Sequence, residues 1–227
     1  MIILLYKGVR RFLQLLHVVL APSYCISCQQ FTQQGIFLCS ECSDLIIPLV
    51  TKQFFITQKY QATVFAVSDY QDPLRILTLG KYYKNRLASI YLAELIWERT
   101  DLCNQEFDFI VPIPLHWTRY AWRWYNQSEC MAQVLSEKSG KPIAHILKRI
   151  RATAFQAGLS YVQRVDNLKD AFSLISEDDL QKYKGKKLLL VDDVLTTGTT
   201  LYEAGRCLVK LVPDKLVFAV ACRVGSR

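Results

Sequence analysis

Residues Leu188–Leu201 read LLLVDDVLTTGTTL. Four apolar residues lead into two acids, Asp192 and Asp193, and then into Thr196, Thr197, Gly198, Thr199 and Thr200. This pattern predicts a buried parallel strand, a loop and a helix from about Leu201. Backbone N–H groups at a helix N-terminus form an anion site, and threonine hydroxyls add donors, so the loop suits a phosphate. Gly198 would let the main chain approach that phosphate. Two carboxylates repel phosphate but suit the vicinal hydroxyls of a ribose. The whole run therefore fits a ribose 5-phosphate. Two acids ending a buried strand are costly without a ligand or partners.

A second group of chemically competent residues lies near the N-terminus. Cys25 and Cys28 form one CxxC pair, and Cys39 and Cys42 form another. Four thiolates at this spacing can close a tetrahedral Zn²⁺ site of the structural kind. Two disulfides or redox-active pairs are the alternatives. The remaining cysteines, Cys103, Cys130, Cys207 and Cys222, stand in apolar contexts and read as buried small hydrophobes. Their scatter argues against a disulfide framework and for a reducing compartment.

The elements that must position these residues alternate between strand and helix. Thr63–Tyr70, Phe107–Ile113, Ala144–Ile150, Lys187–Val191 and Lys215–Val224 read as extended. Asp72–Tyr83, Arg86–Glu98, Ser128–Glu137 and Leu201–Val212 carry helical spacing, with Gly140 and Pro142 closing the third. Such alternation implies an α/β fold, a parallel sheet with helices on both faces. Ligands then bind at the carboxyl ends of the strands, where both Asp192–Thr200 and Pro112–His116 fall.

The chain of 227 residues allows one α/β domain of about 170 residues plus a small appended module. At 51% hydrophobic it has material for a sizeable core. The organisation expected is an N-terminal amphipathic helix over 1–22, a cysteine module over 23–55 and the α/β domain over 56–227. The first segment is apolar but broken by Lys7, Arg10, Arg11 and His17, so it lacks a transmembrane run. It fits both packing on the cysteine module and contact with a membrane or partner surface. The net charge of +8 favours polyanionic partners. Four zinc-bound thiolates and their ion would bring it to about +6.

Leu188–Leu201 resembles the signature of the type I phosphoribosyltransferases, which bind 5-phosphoribosyl-1-pyrophosphate (PRPP) with Mg²⁺. The resemblance implies that Asp192 and Asp193 contact the ribose hydroxyls as the catalytic acids and that Thr196–Thr200 holds the 5′-phosphate. Val111–Ser128, VPIPLHWTRYAWRWYNQS, is similar to the first core loop of ComF-type proteins, a branch with an N-terminal cysteine knuckle. Lys81-Tyr82 and the run Arg149, Arg151, Thr153, Gln156, Arg164, Asn167 and Phe172 also follow that branch. Together these matches run from about Cys25 to Arg223. They imply a pyrophosphate and lid site built from Lys81, Pro112, Ile113, Pro114, Arg119, Arg123 and Arg151, with Arg149–Phe172 as the lid segment. They also imply a competence role at the inner face of the cytoplasmic membrane, with contact to the DNA-uptake machinery and single-stranded DNA as a partner. The expected place is the cytoplasm, or its membrane periphery. Active transfer and non-catalytic PRPP sensing both remain open, because His17, His116 and His145 show no base arrangement and no acceptor site is legible.

The chain departs from that branch at Trp117-Thr118-Arg119 and Ala121–Tyr125. These changes leave Trp117, Trp122 and Trp124 interleaved with Arg119 and Arg123. Aromatic platforms beside cations suit single-stranded nucleic acid, each stacked base contributing about 1–3 kcal/mol. A core-filling helix start is the other reading of the same residues.

Overall fold

The computed structural model describes residues 23–33, 36–49, 51–79, 86–115, 125–151 and 168–224. The chain divides into two compact units, Met1–Ile46 and Ile47–Arg227.

In the first unit, strands β1 (Ser23–Tyr24) and β2 (Phe31–Thr32) pair antiparallel. Between them the chain doubles back: Cys25 N donates to Gln30 O at 2.7 Å and Gln29 N to Cys25 O at 2.9 Å. Gln29 takes the left-handed conformation at φ 64° that this turn requires. Helix α1 (Ser40–Asp44) starts from Cys39, whose Sγ accepts from Cys42 N at 3.5 Å. Its buried apolar residues, among those described, are Cys25, Ile26, Leu38, Cys42 and Ile46. The described residues by themselves make a core too small to hold a fold without a staple.

The second unit is built on one five-stranded sheet. In chain order it contains β3 (Lys52–Phe55), β4 (Gln61–Asp69), α2 (Leu74–Thr78), α3 (Arg86–Arg99), β5 (Phe109–Pro112), α4 (Gln127–Ser139), β6 (Leu147–Arg149), β7 (Phe172–Leu174), β8 (Lys187–Leu195), α5 (Thr199–Val209) and β9 (Lys215–Arg223). The spatial order is β3-β4-β9-β8-β5. Strands β4, β9, β8 and β5 are parallel, and β3 closes one edge antiparallel to β4. Leu188, Leu189, Leu190 and Val191 have no solvent exposure, as a central strand covered on both faces demands. One face carries Val64, Val111, Leu190 and Phe218 against Leu201, Ala204 and Leu208 of α5. Gly205 lets α5 lie close, since a Cβ there would come within 2.9 Å of Ile56 Cδ1. Helices α3 and α4 pack on each other.

The α/β expectation holds, and five details differ from the sequence reading. First, β8 does not stop at Val191. Its neighbour β9 is equally long, so pairing continues to Leu195↔Arg223 and both acids lie inside the strand. Second, Ala144–Ile150 contributes one strand, β6, which pairs antiparallel with β7 in a separate hairpin, and it touches the parallel sheet only at its start, where Ala144 N donates to Ile110 O at 2.8 Å beside a parallel bridge of Ile143 to Ile110. Third, the helix expected over Asp72–Tyr83 is described only as α2, ending where Leu79 turns extended at ψ 149°. Fourth, the sequence groups Lys52–Phe55 with the cysteine module, whereas these residues pair with Gln61–Val64 and belong to the larger unit. Alternation of apolar and polar residues is absent from KQFF, so nothing local marks it as an edge strand. Cys103 also differs: it is exposed, in the 3₁₀ turn Asp101–Asn104.

Candidate functional site

The parallel register sets the carboxyl ends of β5 and β8 side by side. Pro112 pairs with Val191, and Ile113 N donates to Val191 O at 3.0 Å. Asp192 therefore emerges next to the loop that leaves β5. That loop is tied at its far end by Asn126, the N-cap of α4. Its Nδ2 donates to Ile113 O at 2.9 Å, and its Oδ1 accepts from Ser128 N at 3.2 Å. One short polar side chain thus joins the two ends of the loop and starts the helix.

Two residues into α4, buried Ser128 donates through Oγ to Asp192 Oδ1 at 3.0 Å. The same oxygen accepts from Asp193 N at 3.0 Å. Burial pushes the Asp192 carboxyl up to about 7, and the neighbouring Asp193 charge adds to the rise. The Asp193 N–H, the Ser128 hydroxyl and the Arg149 guanidinium act the other way. Asp193 Oδ1 accepts from Val194 N at 2.8 Å. Its charge is felt by Tyr70 and Cys222, whose pKa values it helps to raise after burial itself. Adjacent residues of a strand point to opposite faces. Asp192 is bonded to Ser128 of α4 and feels Arg149 of β6, whereas Asp193 acts on Tyr70 and Cys222 at the ends of β4 and β9. The pair is two acids in two environments.

Beyond the acids, Gly198 adopts φ +80° and caps α5 without a side-chain hydrogen bond. Tyr202 N donates to its carbonyl at 2.8 Å. Thr197 Oγ1 and Thr199 Oγ1 share a hydrogen bond of 2.9 Å, and Thr199 is buried. The first N–H groups of α5 lack intrahelical acceptors by geometry, and they open at this turn. An anion is what such a turn accepts most readily. Gly198 serves a purpose besides the one the sequence suggests. A Cβ there would lie 2.6 Å from Phe54 Cε2, so the missing side chain accommodates β3.

The hairpin β6–β7 stands over the same end. Arg149 Cζ sits 5.3 Å from the Phe172 ring centroid, and Ile150 N donates to Ala171 O at 2.9 Å. Exposed Arg151 donates to Lys169 O at 2.7 Å. Asp170 N donates to Glu203 Oε2 at 3.3 Å, and Cys207 Sγ donates to Phe172 O at 3.3 Å. Both bonds fasten the returning strand to α5. Pro112 and Ile113 are buried at the end of β5, with Pro114 half-buried beside them. Lys81, Trp117, Arg119, Trp122, Arg123 and Trp124 lie outside the described residues, as do His116, 1–22 and 152–167. Sequence reasoning missed Ser128, Phe54 and Glu203. Asn126-Gln127 flagged the neighbourhood of Ser128, but nothing in spacing pairs residue 128 with residue 192.

In the small unit the ligand atoms of Cys25, Cys28, Cys39 and Cys42 all lie within 4.8 Å of one another. Cys28 Sγ and Cys39 Sγ are 3.6 Å apart, and none of the four is in a disulfide. Zn–S bonds of about 2.3 Å in a tetrahedron set sulfurs about 3.8 Å apart. The cluster fits a four-thiolate ion such as zinc. Burial opposes the Cys25 thiolate, yet the Cys28, Cys39 and Ser27 backbone N–H groups outweigh it and lower the thiol to about 6.

Fold and site together define a phosphoribosyltransferase-like α/β domain with an appended four-cysteine module. The family model described as a phosphoribosyl transferase domain matches residues 127–227. The DNA utilization protein YhgH of Salmonella typhimurium is 33% identical over 199 residues, 82% of this chain and 84% of the relative. Competence protein F of Haemophilus influenzae is 36% identical over 158 residues, 66% of this chain and 68% of the relative. The chain belongs to the ComF family that these competence and DNA utilization proteins represent. A solved adenine phosphoribosyltransferase from Saccharomyces cerevisiae covers 82% of this chain and 90% of its own, at 15% identity and a TM-score of 0.38. No helix among the described residues is long and apolar enough to cross a membrane.

Proposed function

We propose that this chain is a ComF-type protein of DNA uptake or utilisation that binds PRPP and handles incoming single-stranded DNA. The observation that carries the ligand reading is the continuity of β8 with α5. One strand delivers Asp192 and Asp193, and three residues after that strand ends at Leu195 the chain turns at Gly198 into a helix N-terminus. Acids for the ribose hydroxyls and N–H groups for the 5′-phosphate are then a few residues apart, with Pro112, Ile113 and Pro114 beside them for the pyrophosphate end. Lys81, Arg119, Arg123 and Arg151 are the residues to which the ComF resemblance gives the positive charge expected there. Mg²⁺ would arrive with the pyrophosphate oxygens and neutralise them. The protein's own part is to hold sugar and phosphate and to exclude water.

The DNA reading rests on the relatives' names and on Trp117, Arg119, Trp122, Arg123 and Trp124 in one short segment. Zinc in the cysteine module, a cytoplasmic location and contact with the inner-membrane uptake machinery belong to the same proposal. Calorimetry with Mg²⁺-PRPP tests the ligand. Binding by the wild type and its loss in Asp192→Asn/Asp193→Asn support the reading, and equal affinity in both sinks it. Titration of labelled single-stranded DNA, with and without Mg²⁺-PRPP, tests the partner. Steady pyrophosphate release with a base or amine acceptor would extend the reading to catalysis.

A further inference from the structure

Asp192 is a partly buried acid with a side chain from a distant element bonded to it. Ser128 and Asp192 are 64 residues apart, and their hydrogen bond of 3.0 Å bridges the head of α4 and the end of β8. Ser128 is 4% exposed, so water does not compete for its hydroxyl. Its backbone is fixed in turn by Asn126, which also grips Ile113 O. A hydroxyl held this way has one low-energy direction to donate. It selects one rotamer of Asp192 and leaves Oδ2 free of that bond.

We propose that Ser128 is a positioning residue for Asp192, fixing the orientation of its carboxylate and favouring its charged form so that it can accept from a ribose hydroxyl. The inference rests on the ribose-phosphate reading for its ligand and on the structure alone for the Ser128–Asp192 coupling. Among described residues, the groups that act on Asp192 are Asp193 from its own strand, Arg149 from β6 and Ser128 from α4. Burial and Asp193 disfavour the carboxylate, while Arg149, Ser128 and the Asp193 N–H favour it. A donor removed from the charged form raises the pKa of the acid. The bond also gives the loop between Ile113 and Asn126 a route to the ribose acid: a shift of Asn126 moves Ser128 with it.

The test uses Ser128→Ala and Ser128→Thr in the full chain. The Asp192 carboxyl is titrated by carbon-13 NMR without ligand, and ribose 5-phosphate affinity is measured from about pH 5.5 to about 9. In Ser128→Ala the Asp192 midpoint should rise by about one pH unit, the scale of one missing hydrogen bond to a charged group. Ribose 5-phosphate should then bind about tenfold more weakly near pH 6.5, with the gap narrowing as pH rises. Ser128→Thr keeps the hydroxyl and should restore both the midpoint and the affinity. A structural role alone would lower stability and leave the midpoint in place. An unchanged midpoint in a folded Ser128→Ala protein overturns the proposal. Failure of the wild type to bind ribose 5-phosphate removes the ligand reading instead, and the NMR midpoints still decide the role of Ser128.

Discussion

The Phe54 ring occupies the space that a side chain at Gly198 would need. A Cβ on Gly198 would meet Phe54 Cε2 at 2.6 Å and Cζ at 2.9 Å, and Phe54 rests in turn on Phe218 with ring centroids 5.8 Å apart. The antiparallel edge strand β3 therefore backs the turn into α5. Its neighbour Phe55 is 70% exposed and takes no part in this packing. The edge strand thus reaches the candidate phosphate turn through one ring.

Gly198→Ala should be costly for two separable reasons. The left-handed conformation costs about 1–2 kcal/mol for an L-residue. The clash with Phe54 adds about 1–3 kcal/mol. Urea unfolding should show a loss of about 2–5 kcal/mol. Adding Phe54→Ala should recover the clash but not the backbone cost, so the double mutant is less destabilised than the sum of the singles. Strict additivity would show that the ring and the glycine do not meet.

Asp192→Asn should stabilise the ligand-free protein at alkaline pH. Burial raises the folded-state pKa of Asp192 from the ordinary 3.8 to about 7. A group raised in this way contributes its stability below about pH 4 and loses it as pH climbs through about 7. At about pH 8 the wild type holds an unfavourable buried charge that the amide lacks. The Asp192→Asn variant should then be more stable by on the order of 1–3 kcal/mol, with a smaller difference at about pH 5 and none toward about pH 4. Chemical denaturation across this pH range measures the effect. A variant no more stable than wild type under the alkaline condition would show that Asp192 ionises freely.

Much of this site was legible in the order of residue types. An apolar run, two acids and a threonine–glycine turn can be read as strand, acids and helix start, and the structure has them in that order. Contacts between distant segments were not legible. Ser128 has no periodicity that points at residue 192, and KQFF has no alternation that marks an edge strand. Where β8 ends was also hidden, because the length of its partner β9 decides it. The cysteine cluster was legible for the opposite reason: four thiols at two short spacings specify their geometry locally. Cys103 misled because an apolar neighbourhood in sequence says nothing of whether a turn faces solvent.

Single-stranded DNA should bind through the segment from Trp117 to Trp124. Trp122→Ala with Trp124→Ala should cost about 1–3 kcal/mol for each stack removed at moderate salt. Arg119→Ala should instead flatten the dependence of affinity on salt, by about 0.7 in log–log slope for each phosphate it no longer neutralises. Fluorescence anisotropy across a salt series separates the two. A folded tryptophan variant with wild-type affinity would assign those rings to the core and move the DNA site elsewhere.

Removal of the metal should unfold the first unit and leave the second folded. The described part of that unit buries only Cys25, Ile26, Leu38, Cys42 and Ile46 as apolar residues, two of them thiols of the cluster. Such a core cannot offset the ordering entropy of its chain. A structural zinc contributes on the order of 10 kcal/mol to modules of this kind, and that energy is folding energy. Larger strands with fully buried apolar runs hold the second unit without it. Metal analysis should find about one zinc per chain, since four thiolates close one tetrahedron. After chelation, amide exchange should become fast across Ser23–Ile46 and stay slow in β8 and β9. Slow exchange in metal-free Ser23–Ile46, or a Cys25–Cys28 disulfide in protein isolated under reducing conditions, would show that the cysteines staple the unit by other means.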